Sequence, residues 1–270
     1  MITSARRVAL ATLLSAIACA LPTQVEAQGN GEDSPSRQFG AWLDDASAPV
    51  RGEGQMTIAV GHWKTAGANQ TDAPMLGAGI GVSDRLQVSA SVPFYRMSFE
   101  GASFAGVDST YFGAKYSLID PMLSLSEFGL SVGSVVEVLS PGAPEGRVHF
   151  VVPVSAELRR APFRYYASAG YFSRGAFFSG GAVEWATPHR VILTGSITRS
   201  YSTQANPSLD ALSVGRQRVD VSANATYPLG TQAAAFGSIG RSLSGVAQGG
   251  TRLALSGGIS FWFRTPMPTP

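Results

Sequence analysis

Residues 77–94, GAGIGVSDRLQVSASVPF, alternate on both sides of the pair Ser83-Asp84. Before the pair, Leu76, Ala78, Ile80 and Val82 share one face, with Gly77, Gly79 and Gly81 on the other. After it, Leu86, Val88, Ala90, Val92 and Phe94 oppose Arg85, Gln87, Ser89 and Ser91. Successive side chains on a strand point to opposite faces, so the stretch predicts an antiparallel hairpin on a tight turn. One face is apolar and the other is tiny or polar. A chain built by repeating that unit has few folds open to it.

The unit does repeat. From Gly54 onward alternating segments fall near residues 54–63, 74–82, 85–95, 107–118, 127–138, 147–158, 162–173, 176–186, 189–201, 216–227, 231–242 and 251–263. Alternation is strict in several of them. Val219, Val221, Ala223, Ala225 and Tyr227 oppose Arg218, Asp220, Ser222, Asn224 and Thr226, for instance. Helical signals, meaning apolar residues at three- and four-residue spacing with caps, are absent from the chain after residue 27.

Composition decides what the apolar face meets. Charged residues make up 14% of the chain, and 31 of its 270 residues are glycine. Soluble domains carry roughly a quarter charged residues and about 7% glycine. A barrel with an oily outer wall and a small, polar lumen explains both departures. The fold expected is therefore all-β: a transmembrane antiparallel up-and-down β-barrel of twelve strands over residues 54–263. The net charge of +2 offers no nucleic-acid surface.

Loop lengths and aromatic residues agree with this. Outer-membrane barrels join their strands by short periplasmic turns and longer outer loops. Ser83-Asp84, 159–161, Thr187-Pro188 and 228–230 are short, whereas 64–73, 96–106, 139–146, 202–215 and 243–250 are longer. Residues 173–175 break the rule. On this topology Tyr116, Phe128, Phe163, Tyr165, Trp185, Tyr227, Phe261 and Phe263 form a belt near the periplasmic rim. Phe94, Tyr171, Phe177 and Tyr201 form one near the outer rim, the two levels that amphipathic rings prefer.

The N-terminus reads as a secretory signal peptide over residues 1–27. Arg6 and Arg7 precede an apolar run too short to span a bilayer, and Val25-Glu26-Ala27 offers a cleavage site. Cleavage there removes Cys19, the single cysteine, so no disulfide or thiolate chemistry remains. A lipoprotein reading of Cys19 meets an obstacle, since Ala16-Ile17-Ala18 lacks the usual leucine. Residues 28–53 form an irregular segment, either periplasmic or a plug in the lumen, with a loose periplasmic leader as the simpler expectation. Phe39 and Trp42 are its large apolar side chains. Residues 264–270 are a Pro-rich tail.

The hairpin also carries a resemblance. Ser83, Asp84, Arg85, Leu86, Val92 and Pro93, followed by Gly106, Asp108, Gly113, Lys115 and Tyr116, resemble two motifs of an outer-membrane family. That family is labelled as a component of the phenol-degradation pathway. Val107 splits the Gly-Asp pair of the second motif, and the match covers about 45 residues. The resemblance implies an outer-membrane channel for aromatic or other hydrophobic compounds. Gly258 to Phe263 also resembles the aromatic C-terminal strand that the barrel-assembly machinery recognises, although seven residues follow it here. The partners expected are thus outer-membrane lipid, that machinery and a small-molecule solute.

Inward-facing charges fall into two groups. Arg85, Lys115, Glu157, Arg164, Glu184 and Arg190 lie near the periplasmic end, and Glu137, Arg218, Asp220 and Arg252 near the outer end. Small residues such as Ser89, Gly113, Ser131, Ser168 and Ser222 lie between them. Polar walls with charged constrictions select solutes, so these ten residues are lumen constriction candidates. They can equally pair across neighbouring strands and stiffen the wall.

Catalysis has little support. Outer-membrane phospholipases use barrels of this size, but their His-x-Ser-Asn type of motif does not occur around His62, His149 or His189. A hydrolase needs a base beside a nucleophile and a third group to orient it. No metal-ligand spacing and no cofactor motif is present, and Gly77–Gly81 lacks the helix and Gly-Lys-Ser/Thr of a phosphate loop. Two functions remain: a channel or transporter for small molecules, or a closed structural or surface-binding barrel without transport.

Overall fold

The structure is a computed structural model that describes residues 43–65, 68–99, 101–107, 109–121, 123–124, 126–139, 148–173, 175–202, 217–243 and 250–266. The expected signal peptide, Phe39, Trp42, the end of the tail and most of the 202–215 loop lie outside the described residues.

Thirteen strand segments follow one another: β1 (Glu53–Lys64), β2 (Ala68–Gly81), β3 (Leu86–Phe99), β4 (Ala102–Val107), β5 (Thr110–Ile119), β6 (Phe128–Val138), β7 (Val148–Arg160), β8 (Phe163–Phe172), β9 (Ala176–Ala186), β10 (Ile192–Ser202), β11 (Gln217–Pro228), β12 (Ala233–Ser242) and β13 (Leu253–Arg264). Both β4 and β5 pair with β3, β4 along its far half and β5 along its near half. They are two pieces of one stave, which makes twelve staves. Each is antiparallel to its neighbours, and β1 pairs with β13 from Glu53↔Arg264 to Lys64↔Leu253. That ladder closes the ring. A closed antiparallel ring satisfies the backbone of every stave without water and leaves no sheet edge in lipid.

The alternation read from the sequence sets the two faces. Ile58, Phe112, Phe150, Ile197, Tyr227 and Ile239 point outward and are exposed on the wall. Gln55, Thr57, Ser131, Ser155, Ser168 and Ser238 point inward and are buried. Hydroxyls meet across neighbouring staves in the lumen, as in Thr57–Ser260 at 2.9 Å and Ser155–Ser168 at 2.9 Å.

Four details depart from the sequence reading. First, β2 begins at Ala68, where a loop is expected up to Ala73. Pro74 imitates a strand boundary because it cannot donate to a ladder. Here the register slips around it, between Asp72 and Met75 against β3, so the strand passes through Pro74 on a bulge. Second, the expected loop 96–106 is mostly a hairpin, with Phe94–Phe99 paired to Ala102–Val107. Third, the turn between β2 and β3 holds four residues, Val82 to Arg85, not two. Val82 N donates to Leu86 O at 2.8 Å, and Ser83 Oγ accepts from Arg85 N and Leu86 N.

The fourth concerns the lumen, which is not lined by small residues all round. Tyr166, Phe172, Phe178 and Val151 face inward and are buried. Val135, Val151, Phe172 and Phe178 form one packed cluster. Gly170 lies beneath the Phe178 ring, where an added Cβ would sit 2.6 Å from its Cζ. The β6–β9 arc is therefore filled. Beside it, Gly77 and Gly113 with Ser89 and Ser91 leave space, and a cavity of about 200 Å³ occupies it.

Candidate functional site

Residues 43–50 enter the ring instead of staying outside it. Leu43, Asp45, Ala46, Ser47 and Ala48 are all buried. The loose-leader expectation thus fails for this stretch. Two backbone features let the chain in. Arg51 bridges to Gly81, and Gly52 N donates to Gly81 O at 2.8 Å. A Cβ on Gly81 would come within 2.9 Å of the Val50 carbonyl carbon, so only glycine leaves room beside the passing segment. Further in, Leu43 packs against Tyr166 and Ala182.

The segment is held by ions. Lys115 on β5 donates to Asp44 Oδ2 and Asp45 Oδ1, each at 3.2 Å. Arg164 on β8 bonds Asp45 through Nη2 and Glu157 Oε1 through Nε, the latter at 2.6 Å. Arg159 donates to the same Glu157 oxygen and, at 2.5 Å, to Ser47 Oγ. The other Glu157 oxygen accepts from Ser47 Oγ at 2.8 Å and Ala46 N at 3.2 Å. Glu184 lies 3.9 Å from Arg164. Ser168 Oγ meets both the amide and the carbonyl of Asp44 at 2.9 Å, and Ser117 Oγ donates to Ala46 O at 3.1 Å.

Burying charge is costly unless each ion is paired and hydrogen-bonded, a condition this knot meets. Burial alone would raise the Asp45 carboxyl. The facing Arg164 and Lys115 cations outweigh that and hold it well below the usual carboxylate range. Asp45 is therefore an anion at neutral pH.

The ten predicted residues divide three ways. Lys115, Glu157, Arg164 and Glu184 come together in the knot. Glu137, Arg218 and Asp220 face inward at the long-loop end. There Tyr111 Oη donates to Glu137 at 3.0 Å, and Arg218 Nε lies 2.8 Å from Asp220. Arg218 also reaches Thr251 Oγ1 at 2.6 Å, and Ser242 Oγ donates to Asp220 at 2.5 Å. Arg85, Arg190 and Arg252 are exposed and form no part of a constriction. Arg85 is displaced into the four-residue turn. Arg190 adopts φ 64° in the turn before β10, and Arg252 precedes β13 at the opposite mouth.

Sequence reasoning missed Asp44, Asp45 and Arg159. Asp44-Asp45 did leave a signal. Cations outnumber carboxylates among the inward positions assigned to the short-turn end, and buried charge has to be balanced from somewhere. The irregular leader offers two adjacent acidic pairs as sources, Glu32-Asp33 and Asp44-Asp45.

Asp44 and Lys115 form part of the cavity wall, so the knot bounds the space. Gln55, Gln87, Ser89 and Ser131 line it with hydrogen-bonding groups, and Met75, Pro93 and Phe236 supply apolar faces.

No protein-family model matches the sequence, and no curated protein matches it. Solved structures do match in fold. An outer membrane channel from Pseudomonas putida F1 aligns with a TM-score of 0.58 at 11% identity, over 81% of this chain and 98% of that one. The NanC porin aligns at 0.55 with 9% identity, and the KdgM porin at 0.53 with 10%. Each covers 76% of this chain and 98% of its own. The chain has the fold of bacterial outer-membrane barrels.

Proposed function

We propose that the protein is an outer-membrane channel for small solutes, with Leu43–Ala48 as its internal constriction. The observation that carries this reading is the cavity inside the ring, bounded by Asp44 and Lys115 and lined by hydrogen-bonding and apolar groups together. Pockets of that mixed character bind small molecules. Aromatic compounds are the solute class favoured by the resemblance around Ser83–Pro93. The short-turn end, where residues 43–50 enter, faces the periplasm and the long-loop end faces outward. Lipid surrounds the wall, and β13 with its Phe261 and Phe263 is the strand read by the assembly machinery. No catalytic role is assigned.

Planar-bilayer recording of the refolded barrel tests the reading. Full-length protein is expected to give small or rare conductance steps, and a variant lacking residues 28–48 larger and more frequent ones. Absence of steps in both, together with no uptake of a phenol by proteoliposomes, would sink it. A second reading, a closed structural barrel, is favoured by the packed Val135–Val151–Phe172–Phe178 cluster that fills one arc of the lumen. The same two measurements decide between them.

A further inference from the structure

Outward-facing charge on the strands gathers mainly at one end of the wall. Strand residues on the outward face include Lys64, Arg96, Arg160, Arg199 and Arg241, while the strand carboxylates Asp72, Glu137, Glu157, Glu184 and Asp220 all take inward positions. Arg160, at the short-turn end, pairs with Glu127 at 3.0 Å. The other four lie within the last four residues of their strands at the long-loop end. No carboxylate among the described residues pairs with Arg199 or Arg241.

A guanidinium on a lipid-facing wall is costly in the hydrocarbon and favourable at headgroup depth, where it finds water and anions. Arg199 shows the expected lean. It is level with Val219 in the ladder, yet its Nη2 donates to Gln217 Oε1 at 3.3 Å, two residues nearer the mouth. Tyr201, also opposite Gln217, and Phe177 beside it mark the interfacial belt at this height. Arg241 is level with Val221, so the two arginines stand on β10 and β12 with β11 between them. Two strand spacings, about 10 Å, separate their backbones. A gap of that size is within the combined reach of two extended arginine side chains, and arginine forks fit phosphate oxygens.

We infer that Arg199 and Arg241 form a clamp on the outer wall for the phosphate of an outer-leaflet glycolipid. The β11 ridge of Val219 and Val221 between them supplies the surface for its acyl chains. This rests on the outer-membrane orientation given above and not on transport.

Full-length barrel in mixed micelles can be titrated with bisphosphorylated lipid A while its thermal unfolding is followed. Lipid A is expected to raise the unfolding temperature and its dephosphorylated form to leave it unchanged. The Arg199→Gln/Arg241→Gln variant should need at least about tenfold more lipid A for the same shift. Arg160→Gln should respond as the parent does, and Arg199→Lys/Arg241→Lys should fall between. Each single Gln variant gives a smaller loss and serves if the double one fails to fold. An equal shift with dephosphorylated lipid A, a shift with inorganic phosphate alone, or an undiminished response in the double variant would overturn the clamp. A response to phosphatidylglycerol in place of lipid A would overturn the orientation with it. Loss of conductance in every protein would overturn the channel reading alone and leave the clamp standing.

Discussion

Lys115 and Asp45 meet at 3.2 Å inside the ring, seventy residues apart in the chain. Lys115 belongs to a strand of the wall and Asp45 to the segment that enters from the short-turn end. The contact therefore joins wall to insert, and its loss is expected to free the insert before it harms the barrel. Lys115→Gln should raise open probability in planar bilayers. Heat-modified migration on gels, which reports the folded ring, should stay unchanged.

Arg164 is a harsher test. It bonds Asp45 and Glu157 at once, and both carboxylates are almost wholly buried. Arg164→Met leaves Asp45 with Lys115 alone and Glu157 with Arg159 alone as cation partners, and removing one partner of a buried pair costs up to about 3–5 kcal/mol. The folded barrel should lose roughly that much in urea titration. The double variant Arg164→Met/Glu157→Leu should recover a large part of it, since an apolar pair of similar volume is tolerated where a lone ion is not.

Acid should act on the insert through Asp45. Its pKa in the folded protein lies below the unfolded value, so the stability it contributes is complete above the ordinary carboxylate pKa of about 4. That stability is lost only as pH falls through the depressed folded value. Conductance steps should therefore keep their size from about pH 8 down to about pH 5 and grow only in stronger acid. A transition between those two values in the parent protein, absent in Asp45→Asn, would contradict the assignment.

Much of this barrel was legible in the sequence, and the places where it was not share a cause. Strand faces follow from a period of two, which one residue type at a time can display. Leu86 to Phe94 and Val219 to Tyr227 therefore read correctly. Pro74 misled because a bulge, which depends on the neighbouring ladders, is invisible in a single strand. The knot misled for a similar reason. Glu157, Arg164 and Lys115 announce themselves as inward charges, but the partner that joins them comes from a segment with no periodicity at all. Arg85 and Arg190 failed differently, because a one- or two-residue shift at a turn takes a side chain from lumen to rim.

Closure of the ring depends on close approach between β1 and β13. Gly258 is level with Ala59, and an added Cβ would stand 2.8 Å from both Ala59 Cα and Ala59 Cβ. Backbone cannot yield as a side-chain tip can. Gly258→Val is expected to lower the yield of heat-modifiable barrel on refolding. Gly237→Val should be mild, because its nearest contact would be a carbonyl oxygen at 3.9 Å. Equal yields from the two variants would show that the seam has more slack than its geometry indicates.

Phe177 and Phe178 are neighbours in sequence and opposites in surroundings. Phe177 is 52% exposed on the wall against Tyr171, with ring centroids 5.1 Å apart, whereas Phe178 is 4% exposed in the lumen cluster. Phe178→Ala removes a ring packed on Val135, Val151 and Phe172 and leaves Gly170 uncovered. Truncations of this kind cost about 3–5 kcal/mol in packed interiors. The space released joins the lumen, so the variant should both melt earlier and pass larger currents once residues 28–48 are deleted. Phe177→Ala loses only wall contact with lipid and one ring pair, and its current should match the parent's. If the two variants conduct alike, the packed arc is not what limits the open lumen, and the constriction lies wholly with the insert.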